Sequence, residues 1–290
     1  MLISTPNQSS SEAIIVIGKN SYIGEYLTNF LQANGINVIA LSSRDCNFLQ
    51  YDRVAEKFDS LGNFQISIVF LAVINKNVFN NYQTYLENIT MVNNLINATS
   101  RANISSLVYL SSVDVYGRSP ILPITEQTRI DPDSFYGLAK YSCERSLLLS
   151  ENINFPISVL RIPGIFGKSR SDTSVIGRMI ASAISDGRII ISGKGDSLRD
   201  YVHLNDLSKI ILLILNKKYQ GILNVVKGES ISIFDIAKCI SQELNIKIEI
   251  ISTEEDERSF DLVFDNAKIK ETLLNFSFIE MPFAIADYVK

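Results

Sequence analysis

Short and almost wholly apolar runs recur along the first half of the chain. The runs that match β-strands are Ala13–Ile17, Asn37–Leu41, Ser67–Leu71, Leu107–Ser111 and Ile157–Arg161. They lack the alternation of a half-exposed strand, so they predict parallel strands covered on both faces. Between the first two runs, Leu27, Phe30 and Leu31 mark one helix face, and Gly35 stands where a helix C-cap belongs. This alternation predicts an α/β fold with a Rossmann-type, doubly wound parallel sheet.

The regular alternation of predicted strands and helices becomes weaker after Ile162. Helical spacing recurs over 174–186, 204–217 and 231–244, with a short extended piece at Arg188–Ile191. We therefore predict a Rossmann domain over 1–162 and a smaller C-terminal α/β substrate lobe. That lobe covers most of 163–290, with segments that return to the first domain. A ligand is expected between the two, outside the strand ends.

Composition excludes several classes of function. The 290 residues carry a net charge of −4, which provides no electrostatic footprint for nucleic acid or an anionic membrane. Three widely spaced cysteines and one histidine, His203, give no metal-binding or disulfide pattern, so we expect no metal. No apolar run is long enough to span a bilayer, and the first residues lack the order of a signal peptide. A reduced, cytoplasmic protein is expected.

The sequence GKNSYIG, residues 18–24, follows the first predicted strand. Gly18 permits a tight turn, Gly24 lets the next helix pack closely, and the helix N-terminus offers N–H groups to a pyrophosphate. Ser21 stands where such turns usually have a middle glycine, and two glycines alone fit an ordinary strand-to-helix turn equally well. The cofactor contacts predicted in this turn are Gly18, Asn20, Ser21, Tyr22, Ile23 and Gly24.

The end of the second strand bears on cofactor choice. Enzymes that prefer NAD usually have an acidic residue there for the ribose hydroxyls. This chain has Ser42, Ser43 and Arg44, and a hydroxyl with a guanidinium suits a 2′-phosphate. We therefore predict that Ser43 and Arg44 bind the cofactor and that NADP(H) is favoured. Asp45 is close enough to reach a ribose, so NAD(H) stays possible, and Arg44 as a solvated surface residue is the simpler alternative.

Tyr136 and Lys140 form a YxxxK pair in the sequence YGLAK. Positions i and i+4 share a helix face, so an ammonium next to the phenol is predicted to lower the pKa of Tyr136. Tyr136 would then exchange a proton with a carbonyl or alcohol oxygen, and Ser112 at the end of another strand would bond the same oxygen. A lone YxxxK is common by chance, but here it follows a βα turn and the strand end SSVDVYG.

At this point the chain resembles the extended short-chain dehydrogenases/reductases of the nucleotide-sugar epimerase/dehydratase family. The resemblance covers nearly the whole chain. It rests on the glycine turn and on VFLAVIN, ENITMVNNLINA, SSVDVYG, YGLAK, VLRIPGIFG, GKGDSLRDYVHLNDL and GILNVVKGESISI.

The resemblance implies a nicotinamide-binding Rossmann domain, a lobe that binds a nucleoside-diphosphate sugar, and catalysis by Ser112, Tyr136 and Lys140. It also implies a homodimer that pairs through helices including the YxxxK helix. The further cofactor contacts that it implies are Leu71, Ala72, Val73, Asn88, Tyr136, Lys140 and Pro163. The implied substrate contacts are Ser112, Val113, Gly164 and Arg199, the last of them to the pyrophosphate.

Departures from the family pattern narrow the reaction. Relatives that are 4,6-dehydratases have Asp-Glu directly after the catalytic hydroxyl residue, where this chain has Val113 and Asp114. Reductases that also epimerise at C3 and C5 use a cysteine near the serine and a histidine after the RIP strand, and this chain has neither there. C4-epimerases typically hold NAD tightly and often have asparagine at the position of Gly164.

The leading expectation is an NADPH-dependent 4-ketoreductase of a nucleoside-diphosphate 4-keto-6-deoxy sugar. The alternative is a nucleoside-diphosphate-hexose 4-epimerase, which would use the same serine, tyrosine and lysine. A non-catalytic dinucleotide sensor is less favoured, because such modules often lose the tyrosine or the lysine. The nucleotide base, the sugar and the product stereochemistry stay open.

Overall fold

The computed structural model describes residues 12–75, 79–169, 172, 174–191, 193–245, 249–252 and 260–289. Its strands are β1 (Glu12–Ile17), β2 (Val38–Leu41), β3 (Gln65–Phe70), β4 (Asn103–Ser112), β5 (Ile157–Ile162), β6 (Gly164–Phe166), β7 (Arg188–Ile191), β8 (Leu198–Arg199), β9 (Tyr201–His203), β10 (Gly221–Asn224), β11 (Ile231–Ser232) and β12 (Glu249–Ser252). Its helices are α1 (Tyr22–Ala33), α2 (Tyr51–Asp59), α3 (Tyr82–Ala98), α4 (Phe135–Leu149), α5 (Val175–Asp186), α6 (Leu204–Lys217), α7 (Ile233–Leu244), α8 (Ala267–Thr272) and α9 (Met281–Val289), with 3₁₀ turns at Thr99–Arg101 and Val113–Tyr116.

Six of these strands form one sheet in the order β10-β5-β4-β3-β1-β2. The pairs β1–β2, β1–β3 and β3–β4 are parallel, and Val16 lies between Ala40 and Val69 in the register. The chain passes from β1 to β2 on one side and returns to β3 on the other. The carboxyl ends of β1 and β3 therefore flank the switch point where ligands bind in such sheets.

The predicted doubly wound α/β fold is confirmed. The five predicted strands are β1 to β5, each with bounds shifted by a few residues, and the prediction lacked β10 as the sixth strand. The predicted α1 face is also present, because Leu27 and Leu31 are fully buried. The C-cap is Asn34, one residue before the predicted Gly35, and Gly35 follows it with a φ of +73° and donates its N–H to Gln32 O.

The chain divides into two compact units. The first comprises 1–117, 130–161 and 208–223, and the second comprises 118–129, 162–207 and 224–290. The second unit is the smaller of the two within the described residues. It contains the parallel pairs β6–β9 and β7–β12 and the antiparallel pair β8–β11. Its apolar core includes Ile176, Ile180, Ile236, Ile240 and Ile285.

The later elements match their predicted positions closely. β7 coincides with the predicted extended piece, and α5, α6 and α7 lie over the three predicted helical stretches. Across the described ranges, no helix is long and apolar enough to cross a membrane. Among the same residues, no group of three or more His, Cys, Asp or Glu side chains is placed to hold a metal ion.

A buried ionic network joins four elements of the first unit. Arg161 on β5 donates from Nε and Nη2 to the Glu144 carboxylate of α4 at 3.0 and 2.7 Å. Arg161 also donates from Nη1 to the Tyr116 hydroxyl at 2.9 Å, and the Ser111 hydroxyl donates to Glu144. Both charged side chains are almost inaccessible to solvent, 2% for Arg161 and 0% for Glu144. Although burial opposes the charged form, the Glu144 carboxylate raises the pKa of Arg161.

We expect Arg161→Met to destabilise the protein by about 3–5 kcal/mol, because it leaves the Glu144 carboxylate buried without its countercharge. Urea unfolding followed by circular dichroism measures the loss. The double variant Arg161→Met/Glu144→Leu should recover part of it, since no charge is then left unpaired. Arg101→Met, which removes an exposed partner of Asp59, is the control and should leave the unfolding midpoint almost unchanged. A single variant as stable as this control would contradict the role of the network.

Candidate active site

The turn after β1 requires glycine at both ends. Gly18 has a φ of +103°, and a Cβ there would lie 2.9 Å from the backbone nitrogen of Ala72. A Cβ on Gly24 would lie 2.1 Å from the Gly18 carbonyl oxygen. The turn therefore packs tightly against the first turn of α1 and against the end of β3. This geometry is what a dinucleotide-binding turn needs at a switch point, so these residues fit such a cofactor.

Ser21, in place of the usual middle glycine, is the N-cap of α1. Its hydroxyl donates to the Gly18 carbonyl at 2.7 Å and accepts the Gly24 N–H at 3.1 Å. The side-chain oxygen is thus bonded back into the turn and caps the helix. Beside it, Asn20 is exposed, while Tyr22 and Ile23 are half-buried on the first turn of α1.

The polar residues in the turn after β2 differ in their contacts and their exposure. Asp45 Oδ2 accepts both the Ser42 N–H at 2.8 Å and the Ser42 hydroxyl at 2.6 Å, and it pairs with Lys19 Nζ at 2.9 Å. These hydrogen bonds, with Ser42 the larger contributor and Lys19 next, hold the pKa of Asp45 well below its usual range. Ser43 and Arg44 are exposed at the outer side of the turn.

The loop after β3 is shaped by Asn88. The Asn88 side-chain amide accepts the Ile74 N–H at 2.8 Å and donates to the Ile74 carbonyl at 3.2 Å. Leu71 is buried and donates its N–H to Ile17 O at 2.9 Å, whereas Ala72 and Val73 are half-buried. Asn88 therefore positions the loop that touches Gly18, and its direct contact with a cofactor stays a prediction.

Ser112, Tyr136 and Lys140 lie together at the ends of β4 and α4. The Ser112 side chain hydrogen-bonds to the Tyr136 side chain. Lys140 Nζ donates to the Leu110 carbonyl at 2.6 Å and lies 5.8 Å from the centre of the Tyr136 ring. Ser112 Oγ also accepts the Asp114 N–H at 3.1 Å. The arrangement presents a phenol and an alcohol hydroxyl side by side, with a buried amine behind them.

The pKa of Tyr136 departs from the sequence-based prediction. Burial raises it above its ordinary value, the Asp114 carboxylate raises it further, and the Ser112 hydrogen bond opposes the change. The predicted lowering by Lys140 is therefore not what the structure has, because desolvation dominates and the amine is bonded to the Leu110 carbonyl. Burial also lowers the pKa of Lys140 to about 8. Tyr136 is accordingly protonated at neutral pH.

The substrate contacts implied by the resemblance fall in both units, and each unit is described by itself. Val113 is buried in the 3₁₀ turn of the first unit. In the second unit, Gly164 opens β6, and the residue before it, Pro163, which is an implied cofactor contact, is half-buried. A Cβ on Gly164 would lie 2.6 Å from the Tyr201 ring, so the ring fills the space that a side chain at position 164 would need.

Arg199, the implied pyrophosphate ligand, is engaged within its own unit. Its Nη1 donates to the Leu198 carbonyl at 2.8 Å and to the Phe260 carbonyl. The guanidinium also lies 4.4 Å from the centre of the Phe260 ring. His203 is buried, accepts the Asn205 N–H at 3.2 Å and packs against Phe166.

Sequence reasoning missed Glu144 and Arg161, and it considered Lys19 only as a phosphate donor and missed its pairing with Asp45. A signal for the first two exists, because an arginine in the apolar strand VLRIP needs a buried partner and Glu144 follows Lys140 by four residues. Lys19 gives no such signal, since its partner Asp45 lies in the turn after β2 and comes close only when β1 and β2 pair.

Comparison with known proteins agrees with this geometry. The model of the "NAD dependent epimerase/dehydratase family" matches residues 14–226. The "Putative UDP-glucose 4-epimerase" of Methanocaldococcus jannaschii is 26% identical over 280 residues, which cover 90% of this chain and 92% of that protein.

Two solved structures share the fold. The UDP-N-acetylglucosamine 4-epimerase of Methanobrevibacter ruminantium M1, in complex with UDP-N-acetylmuramic acid, is 22% identical with a TM-score of 0.82 and coverage of 97% and 98%. RMD from Pseudomonas aeruginosa, complexed with NADPH, is 21% identical with a TM-score of 0.82 and coverage of 96% and 97%. The match of the family model over most of the chain places this protein in the NAD dependent epimerase/dehydratase family.

Proposed function

We propose that this protein is an NADPH-dependent 4-ketoreductase of a nucleoside-diphosphate 4-keto-6-deoxy sugar. The observation that carries the proposal is the protonated Tyr136 hydroxyl, bonded to Ser112. An acid that protonates a newly formed alkoxide must hold its proton at working pH, and Tyr136 does so with its hydroxyl positioned by Ser112.

The residues of the site divide the chemistry among them. A nicotinamide dinucleotide bound at the glycine turn would supply the hydride. Tyr136 donates its proton to the C4 oxygen, and the Ser112 hydroxyl holds that oxygen in place. Lys140, with a pKa of about 8, is mostly charged at neutral pH and stabilises the phenolate that the proton transfer leaves behind.

The surroundings of this set favour hydride transfer alone. Val113, at the position where dehydratases have an acid, is buried and apolar. Asp114 is the one carboxylate of the usual pair, and it acts electrostatically on both Tyr136 and Lys140. Water elimination requires an acid and a base, so a single carboxylate supports reduction better than dehydration.

The turn after β2 supports NADPH as the reductant. A carboxylate that binds both ribose hydroxyls uses both of its oxygens. In Asp45, Oδ2 already accepts hydrogen bonds from three donors, so it is poorly placed to bind the ribose in this way. Ser43 and Arg44 are exposed beside it and offer a hydroxyl and a guanidinium to a 2′-phosphate. NAD(H) is the weaker alternative for this edge.

A 4-epimerase is the second candidate. It is favoured by the name of the M. jannaschii relative, which matches this chain over nearly its whole length. The same Ser112, Tyr136 and Lys140 would then take the proton from the C4 hydroxyl and later return it. A bound nicotinamide would accept the C4 hydride and give it back, without net use of cofactor. In either case we propose a nucleoside-diphosphate sugar as substrate, with Arg199 as its pyrophosphate ligand.

We also propose that a second copy of the chain docks on α3 and α4. Tyr82, Leu86, Phe135 and Leu138 are large apolar residues that these helices expose, and the rings of Tyr82 and Phe135 are 6.4 Å apart. Side chains four residues apart on α3, such as Tyr82 and Leu86, share one helix face. An apolar face of this kind is typical of a subunit interface.

The function is tested by incubating the protein with NADPH and a panel of nucleotide-linked 4-keto-6-deoxy sugars. We expect consumption of one NADPH per sugar reduced. Tyr136→Phe should lower kcat by about 10²–10⁴ while NADPH still binds, because only the proton donor is lost. Tyr141→Phe, on the same helix, is the control. Interconversion of two sugar nucleotides without NADPH consumption would favour the epimerase, and full activity of Tyr136→Phe would contradict both enzymatic functions.

The cofactor preference is tested by Arg44→Asp. We expect the affinity for NADPH relative to NADH to fall about tenfold, because a carboxylate replaces the guanidinium at the 2′-phosphate. Fluorescence titration of both reduced cofactors gives the two dissociation constants. Arg53→Asp, at an exposed arginine on α2, is the matched control. An unchanged affinity ratio in Arg44→Asp would remove Arg44 from this role.

The dimer is tested by Leu86→Lys. Sedimentation velocity should show a dimer for the natural sequence and a shift to monomer for this variant, because a charge is buried without a partner at the interface. Leu274→Lys, at an exposed leucine outside both helices, should leave the dimer intact. A monomeric natural sequence would rule out this use of the apolar face.

A further inference from the structure

An ion pair links the two turns that border the proposed cofactor edge. Lys19 is the residue directly after Gly18 in the glycine turn, and its Nζ lies 2.9 Å from Asp45 Oδ2 in the turn after β2. The Lys19 backbone N–H also donates to Leu41 O at 3.0 Å, so the residue is held at both its main chain and its side chain. We call this contact the Lys19–Asp45 clamp.

The clamp determines what the Asp45 carboxylate can do. One of its oxygens accepts the N–H and the hydroxyl of Ser42 as well as Lys19, so the group is bonded back into its own turn. The ammonium also neutralises its charge at short range. A carboxylate released from Lys19 would accept ribose hydroxyls more readily and would repel a 2′-phosphate.

We propose that Lys19 is a specificity-determining residue, which favours NADPH by withdrawing the Asp45 carboxylate from the ribose edge. This inference rests on the proposed function, in which Ser43 and Arg44 receive the 2′-phosphate. The two contributions differ in kind. Arg44 adds an attraction for the phosphate, whereas Lys19 removes a repulsion and a competing ribose ligand.

The geometry explains why Lys19 and Asp45 must act together. Both side chains are partly accessible to solvent, 34% of Lys19 and 41% of Asp45, so the ion pair lies at the surface of the two turns. Replacing Lys19 alone leaves an uncompensated carboxylate next to the ribose edge. Replacing both residues leaves no carboxylate to release, and the effect should then disappear.

The test is a set of NADPH and NADH titrations on the full chain, followed by cofactor fluorescence. The variants are Lys19→Met, Lys19→Arg, Asp45→Asn and the double variant Lys19→Met/Asp45→Asn. We expect Lys19→Met to weaken NADPH binding roughly fivefold and to tighten NADH binding. Lys19→Arg keeps the charge and should leave the ratio of the two affinities close to that of the natural sequence.

The double variant decides the cause. A simple change of net charge cannot tighten NADH in Lys19→Met, because NADH is itself an anion. We therefore expect the gain for NADH to appear in Lys19→Met and to vanish in the double variant. Equal weakening of both cofactors by Lys19→Met would overturn the proposal, because Lys19 would then serve the shared pyrophosphate. Weaker NADH binding by Asp45→Asn alone would also overturn it, because the carboxylate would already bind the ribose.

The proposed function can fail separately from the clamp. A natural sequence that binds NADH more tightly than NADPH would contradict the proposed cofactor preference. The proposed effect of Lys19 on Asp45 would still hold if Lys19→Met tightened NADH binding further and the double variant did not. Circular dichroism of each variant checks that the fold is retained, so that a change in affinity can be assigned to the cofactor edge.

Discussion

The contact between α4 and the end of β4 holds the candidate site together. Residues 110–112 of the strand meet three successive turns of the helix: Lys140 bonds to the first residue, Glu144 to the second and Tyr136 to the third. Since side chains four residues apart share a helix face, one register of helix against strand satisfies all three contacts. Arg161 secures that register from the neighbouring strand, because it binds the Glu144 carboxylate with two N–H groups.

Burial at this contact acts on Tyr136 and Lys140 in opposite directions. A low-dielectric environment disfavours whichever form is charged, so it raises the pKa of the phenol and lowers that of the amine. The tyrosine keeps its proton, and the lysine stays within reach of neutral pH. The pair is thereby suited to giving a proton to an alkoxide, and the Ser112 hydroxyl lies beside it as the second hydrogen-bonding group.

The carboxyl end of β1, on the same side of the sheet as the end of β4, is organised around the glycine turn. Ser21 shows that the middle glycine can be lost without losing the turn, because its hydroxyl bonds within the turn as an N-cap. Arg44 and Asp45 are adjacent in sequence but differ in their contacts. Asp45 is bonded to Ser42 and Lys19, while Arg44 is exposed.

The sequence by itself determined the elements, because apolar runs and glycine or capping positions act over a few residues. It predicted β1 to β5 and the spacing that sets Tyr136 and Lys140 on one helix face. Only the tertiary structure decided the charged partners, namely Arg161 for Glu144 and Asp45 for Lys19. It also reversed the predicted direction of the Tyr136 pKa. Desolvation and long-range pairing depend on what packs around a group after folding, and no local pattern of residues encodes that surrounding.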